Sequence, residues 1–152
     1  MCKDFAHLHV HSDGSRVDGL GPVSRLVSGA KSLGFEHLGL TDHGSLTNTI
    51  VFQRQCLENG IKPIIGLEGY VNYEGTRFHI TLLANGNNGL RNVTKVNNLG
   101  MRGDDSLRPT FSFDALLNHS EDVILLTGCP GSPLQKTDLQ TSLEIGRQLK
   151  AV

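Results

Sequence analysis

Residues 5–12 read Phe-Ala-His-Leu-His-Val-His-Ser. Successive side chains of an extended chain point to opposite faces. Ala6, Leu8 and Val10 therefore fall on one side, and His7, His9 and His11 on the other. The apolar side asks for a core, and an ordinary core does not accept three imidazoles in register. Neutral imidazoles lined up in this way suit a transition metal. The alternative is a half-exposed strand whose polar side meets water. Whatever the fold, it must bury one side of this segment and leave the other to solvent or to a cation.

The rest of the chain alternates strand and helix patterns. Its 152 residues suit one domain, 1–152. Strands are expected at 5–11, 37–41, 62–72, 77–84 and 122–127. The first helix begins at Pro22, a good first helical residue, and carries the stripe Val23, Leu26, Val27, Ala30 and Leu33 before Gly34. Further helices are expected at 48–59, 90–99, 113–118 and 137–149, the last capped by Thr137 or Asp138. Residues 73–76 read as a hairpin-like turn, and 100–110 as a charged loop. Strands alternating with helices point to an α/β fold with a largely parallel sheet.

Composition excludes several classes. No apolar run approaches the ~18 residues of a membrane span, and the N-terminus lacks the signal-peptide pattern. A net charge of −1 argues against a broad basic face for duplex DNA, while leaving room for a small phosphate-recognising cleft. The three cysteines, Cys2, Cys56 and Cys129, form no CxxC, which fits a reducing compartment and a cytoplasmic location. Cys56, inside a helix, reads as a small core residue.

Polar residues of metal-binding type recur near strand ends: His11, His43 and Cys129. Each has a plainer alternative. Asp42-His43 can cap the helix that follows, and Asp18 can be a turn residue before Gly19. Glu68 stands in an apolar run, where a carboxylate needs a partner. That partner is either a bridged pair of cations or a buried ion pair. His79 can be a satisfied core histidine and Cys129 a buried small residue. As a set, imidazole, carboxylate and thiolate suit zinc, with manganese or iron where carboxylates dominate. Calcium and magnesium prefer an oxygen shell.

The segments Phe5-Ala6-His7-Leu8-His9-Val10-His11-Ser12, Leu40-Thr41-Asp42-His43-Gly44, Gly60-Ile61-Lys62-Pro63-Ile64-Ile65-Gly66-Leu67-Glu68, Phe78-His79-Ile80-Thr81-Leu82-Leu83-Ala84, Leu90-Arg91-Asn92-Val93 and Leu126-Thr127-Gly128-Cys129 stand in this order. Together they resemble the PHP (polymerase and histidinol phosphatase) family. The third and fourth are similar to its polymerase branch, the N-terminal domains of bacterial replicative DNA polymerases. The resemblance implies a distorted β/α barrel of seven strands, of which about five are represented here. It implies a trinuclear metal cluster held by His9, His11, Asp18, His43, Glu68, His79 and Cys129, with Glu68 bridging two metals. His7 stands just before the family's His-x-His pair.

The implied chemistry is phosphoester hydrolysis, with water attacking phosphorus in line and His9, His11, Asp18, His43 and Glu68 serving the reacting metals. In the polymerase branch that activity is a 3′-5′ exonuclease on DNA. The family domain is longer than this chain by roughly a hundred residues, on the scale of a closed barrel. An Asp and a His that normally complete the ligand set have no counterpart, so the domain reads as C-terminally truncated, weak or inactive alone, and no polymerase by itself. Two other readings stay open: a non-catalytic metal-binding module that binds or completes a replicative polymerase, and a small-molecule phosphatase. The expected partners are a DNA 3′ end or other phosphoester, a replication protein or completing polypeptide, and a second copy of the chain. Arg16, Arg102 and Arg108 are candidates to hold a phosphate, with solvated loop charge as the alternative.

Overall fold

The computed structural model describes residues 5–151. Cys2 lies outside them. The elements follow the order α1 (Val23–Ser32), β1 (His37–Leu40), α2 (Thr49–Glu58), β2 (Lys62–Tyr73), β3 (Thr76–Ala84), α3 (Gly86–Gly100), β4 (Thr110–Ser112), α4 (Phe113–Leu117), β5 (Val123–Leu126), α5 (Pro133–Lys136) and α6 (Leu139–Lys150). No helix among the described residues is long and apolar enough to cross a membrane.

β2 organises the sheet. It is twelve residues long, enough for several neighbours. The first third pairs in parallel with β1, from His37↔Lys62 to Leu40↔Ile65. The rest pairs antiparallel with β3 and, on its other side, in parallel with β4. β5 adds antiparallel to β3, giving the order β1-β2-β3-β5 with β4 beside β2. The five-stranded sheet does not close, as an incomplete distorted barrel requires.

The expectation of a largely parallel sheet holds for only two of the four strand pairs. The cause is local. Glu74 (φ 50°) and Gly75 (φ 84°) make a tight turn, closed where Gly75 N–H donates to Asn72 Oδ1 at 2.9 Å. A connection that short joins only antiparallel neighbours.

Residues 5–11 are not a regular strand. They run beside β1 through one bridge, His7↔Leu38, and through Thr41 N–H donating to the Val10 carbonyl at 2.9 Å. The fifth strand is instead β4, which begins where the charged loop at 100–110 ends, with Phe111 buried in the core.

Two apolar clusters support the site. One, between α1, β1 and α2, holds Val27, Leu40, Phe52 and Cys56. Leu33, placed by its spacing on the buried stripe of α1, is the C-cap residue and 64% exposed. The other packs Leu67, Phe78, Ile80 and Leu82 against Val93 and Val96 of α3. Phe78 is fully buried there, so Phe78→Ala should cost about 3–5 kcal/mol. α3 starts ahead of the expected residue 90, and α5 has no clear sequence signal. Of the two cap candidates for α6 it is Asp138, whose Oδ1 accepts from Thr141 N–H at 3.0 Å.

Candidate metal centre

The β2–β3 register builds the floor of the site. Glu68 pairs with Thr81 and Tyr70 with His79, while Leu67 pairs with Leu82 and Val71 with Phe78. Because faces alternate, the second group enters the apolar core and the first is displayed on the opposite face. β1 continues into this face as residues 41–44: Glu68 N–H donates to the Asp42 carbonyl at 3.2 Å and Gly44 N–H to the Glu68 carbonyl at 3.0 Å. This parallel bridge sets His43 beside Glu68.

Glu68 is the hub and is 1% exposed. Its Oε2 lies 2.7 Å from His9 Nε2, 2.7 Å from His11 Nε2 and 3.2 Å from His43 Nε2. Its Oε1 lies 3.0 Å from His79 Nδ1. Asp18 closes the outer side, with Oδ1 at 2.9 Å from His11 Nδ1 and Oδ2 at 3.3 Å from His43 Nε2. Cys129 Sγ stands 3.6 Å from His79 Nδ1. The seven side chains that the family resemblance implies as ligands therefore lie close together.

Buried polar contacts hold this arrangement. Asp42 accepts from Ser12 N–H and Ser12 Oγ–H, both at 2.6 Å, which fixes the chain just after His11. Asn48 Nδ2 donates to Ser12 Oγ at 2.9 Å and to Asp13 Oδ1 at 2.9 Å, so the residue before α2 anchors the same turn. Ser15 Oγ–H donates to Asp18 at 2.8 Å and accepts from His43 N–H at 3.2 Å. Tyr70 stacks on His43 with centroids 5.2 Å apart and meets His79 edge-on at 4.8 Å. His79 N–H donates to the Gly131 carbonyl at 2.7 Å, which draws the Cys129 segment against β3. A Cβ at Gly131 would sit 2.7 Å from His79 Nδ1, so only glycine permits this approach.

The electrostatics centre on Glu68. Burial alone would raise its pKa, but hydrogen bonds from His11, His79 and His9 hold it far below the usual carboxylate range. Burial tends to lower His11, yet the Glu68 and Asp18 carboxylates outweigh it and raise its pKa. His43 goes the other way, its burial exceeding the pull of the same two carboxylates. Burial also pushes the Cys129 thiol up.

The donor set fits a cation better than it fits protons. His9 Nε2 and His11 Nε2 lie 3.1 Å apart and both face one carboxylate oxygen. One proton shared between the two nitrogens leaves a lone pair facing the carboxylate oxygen, protons on both crowd that single oxygen, and protons on neither set lone pair against lone pair, whereas a cation meets all three atoms at once. Ligand atoms on one tetrahedral zinc, with bonds of 2.0–2.1 Å, are about 3.3 Å apart. Three groups of donor atoms each gather within 4.8 Å: His9, His11 and Glu68; His11, Asp18 and His43; His43, Glu68 and His79.

His7 does not join them. Its ring meets Phe5 edge-on at 4.8 Å and Phe35 at 5.3 Å. Exposure still alternates along residues 5–10, but His7 stands one strand repeat before His9 and packs on these rings instead. Of the arginines singled out in the sequence, Arg108 lines a cavity with His43 and His79, and Arg16 lines a smaller one with His43. Arg102 lines neither. Sequence reasoning missed Tyr70 and the Ser12–Asp42 pair; Asp42-His43 at a strand end was a signal, read as a ligand in His43 or as a helix cap, and not as an anchor for Ser12.

Residues 7–149 match the model of the PHP domain family. DNA polymerase III subunit alpha of Treponema pallidum is 38% identical over 147 residues, covering 90% of this chain and 13% of that protein. The same subunit of Aquifex aeolicus is 34% identical over 146 residues, covering 85% and 12%. The chain thus spans about an eighth of the length of the curated relatives it matches. A chain from Bifidobacterium adolescentis assigned as a metal-dependent phosphoesterase shares the fold, with TM-score 0.63 at 12% identity, covering 94% of this chain and 74% of that one. A match running from His7 to Gln148 and beyond, over a site whose seven expected ligands meet around Glu68, places this chain in the PHP domain family.

Proposed function

We propose that the chain is a metal-dependent phosphoesterase domain related to replicative DNA polymerases, and that its substrate is the 3′ end of a DNA strand. The observation that carries this reading is the single Glu68 oxygen facing the Nε2 atoms of His9, His11 and His43 at 2.7, 2.7 and 3.2 Å. His9, His11 and Glu68 would hold one metal, and Asp18 and His43 a second beside it. Glu68 and His79, completed by Cys129, would hold a third. Thiolate and imidazole favour zinc in the last, and the exposed Asp18 position also suits manganese or iron.

Bound divalent metal supplies Lewis acidity, which activates water and neutralises charge on the leaving oxygen. The chain's own groups arrange this. Asp18 accepts from His11 Nδ1–H and so turns the Nε2 lone pair inward, the usual carboxylate support of a ligating histidine. Tyr70 covers one face of His43 and excludes water from it. With two or three donors per position, the isolated chain is expected to be slow, and millimolar manganese to raise its rate by mass action.

The test is hydrolysis of a 3′-labelled single-stranded oligonucleotide beside a simple phosphomonoester, each with manganese or zinc. Shortening from the 3′ end supports the reading. Hydrolysis of the monoester alone makes the protein a small-molecule phosphatase. A second reading, a non-catalytic metal module that docks on a replication protein, draws on the chain's likeness to one part of much longer polymerase subunits. Tight metal binding with no hydrolysis of either substrate would favour it.

A further inference from the structure

Beside the metal centre lies a cavity of about 250 Å³ whose wall includes His43, His79 and Tyr70 together with Arg77, Arg108 and Lys136. The three cations come from three separate elements. Arg77 stands two residues before His79 on the same face of β3, Arg108 precedes β4, and Lys136 ends α5. The chain's net charge is −1, so this concentration of positive charge is local. Among the described residues Arg108 and Lys136 have no ion-pair partner.

One carboxylate organises the group. Asp105 Oδ2 accepts from Arg77 at 3.2 Å, and its Oδ1 accepts from the N–H groups of Leu107 at 3.1 Å and Arg108 at 2.9 Å. Asp105 therefore ties the loop carrying Arg108 to the strand carrying Arg77. The Arg77 guanidinium also lies 5.8 Å from the Tyr70 ring centre, and the same ring stacks on His43. Rim and metal centre share this aromatic as a common wall.

We propose that Arg77, Arg108 and Lys136 form an anion subsite that takes a phosphate group of the substrate, with Asp105 as its positioning residue. The subsite rests on the phosphoesterase reading for the identity of the anion. Arginine supplies planar, paired donors to phosphate oxygens and lysine a point charge. Asp105 gives the idea its sharpest consequence. Removing a negative charge beside a phosphate site should strengthen binding if attraction is unspecific, and weaken it if that charge sets the arginines.

The experiment uses the whole chain in chelator, so that no hydrolysis or metal contact contributes, with fluorescein-labelled tetrathymidylate as the probe followed by anisotropy. Arg108→Gln and Lys136→Gln should each weaken binding on the order of threefold or more, and lower the slope of log affinity against log salt by about 0.7. Asp105→Asn should also weaken it, while Lys62→Gln, which removes one positive charge as Arg108→Gln and Lys136→Gln do but far from the cavity, should not. Inorganic phosphate should compete and thymidine should not. Probe affinity well above that of inorganic phosphate points to a strand, and equal affinity to a small phosphate ester; both support the subsite. Wild type that fails to bind the probe, cavity variants that behave like Lys62→Gln, or an Asp105→Asn protein that binds more tightly would each overturn it. Zinc uptake measured on the same proteins after the chelator is removed separates the two ideas. Probe binding by a chain that takes up no metal leaves the subsite standing and removes only the metal-dependent reading.

Discussion

His11 Nε2 lies 2.7 Å from Oε2 of Glu68 while its Nδ1 lies 2.9 Å from Asp18, so one imidazole joins a buried carboxylate to an exposed one. The ring cannot rotate without losing both contacts. Its orientation is set before any cation arrives, which is how a site gains affinity without further contacts. Perturbing the groups that hold such rings should therefore affect metal binding more than folding.

Gly131→Ala tests this at the third position. The added methyl would lie 2.7 Å from His79 Nδ1 and must displace the ring or the Cys129 segment. Metal affinity should fall about tenfold to a hundredfold, the range seen when groups supporting a ligand are altered. Calorimetric titration with zinc, beside a thermal melt in chelator, separates loss of binding from loss of fold.

His9 and His7 should behave differently although only one residue lies between them. His9→Ala removes a nitrogen 2.7 Å from Glu68, whereas His7→Ala removes a ring packed on Phe5 and Phe35. Zinc content should drop in the first and match wild type in the second. Equal losses in both would add His7 to the ligand set.

Ser12→Ala leaves the buried Asp42 carboxylate without one of its two hydrogen bonds from Ser12. An unsatisfied buried acceptor costs about 1–3 kcal/mol, and urea unfolding should report a loss of that size. The turn after His11 loosens with it, so the first two metal positions should weaken while Glu68, His79 and Cys129 remain.

The depressed pKa of Glu68 gives a signed dependence on pH. A carboxyl whose folded pKa lies below its unfolded value, near 4.5 here, adds stability above that value and loses it as pH falls further. In chelator, wild type should therefore be more stable than Glu68→Gln at neutral pH. The gap should narrow steadily once the pH drops below the unfolded value. A gap that grew in acid would reverse the sign and contradict the assignment.

How far the sequence carries depends on the kind of signal. The candidate ligands were legible because their chemistry is unusual for their positions: an isolated carboxylate at Glu68 in an apolar run, and imidazoles alternating with Leu8 and Val10. Core residues of the first helix such as Val23, Val27 and Ala30 followed from periodicity in the same way. The strand at Thr110–Ser112 was hidden because only Phe111 of its three residues is buried, and Arg102, Asp104 and Asp105 before it read as solvent. His7 stays apart because sharing a face with His9 and His11 does not bring a residue to the same point along the chain, and its ring meets Phe5 and Phe35 instead. Tyr70 carried no local mark. Its role comes from the pairing with His79 across the hairpin, which spacing along one strand does not reveal.

The most direct test of the central claim is metal content together with 3′-5′ hydrolysis of single-stranded DNA, measured on wild type and on Glu68→Gln. The substitution keeps the size of the side chain and removes the charge that His9, His11, His43 and His79 surround. The account predicts that wild type, after exhaustive dialysis, retains at least one equivalent of transition metal and that manganese raises its hydrolysis. It predicts that Glu68→Gln, folded by circular dichroism, retains less metal and hydrolyses nothing above background. Wild type that takes up no metal, or a Glu68→Gln protein with wild-type metal content and wild-type hydrolysis, would contradict it.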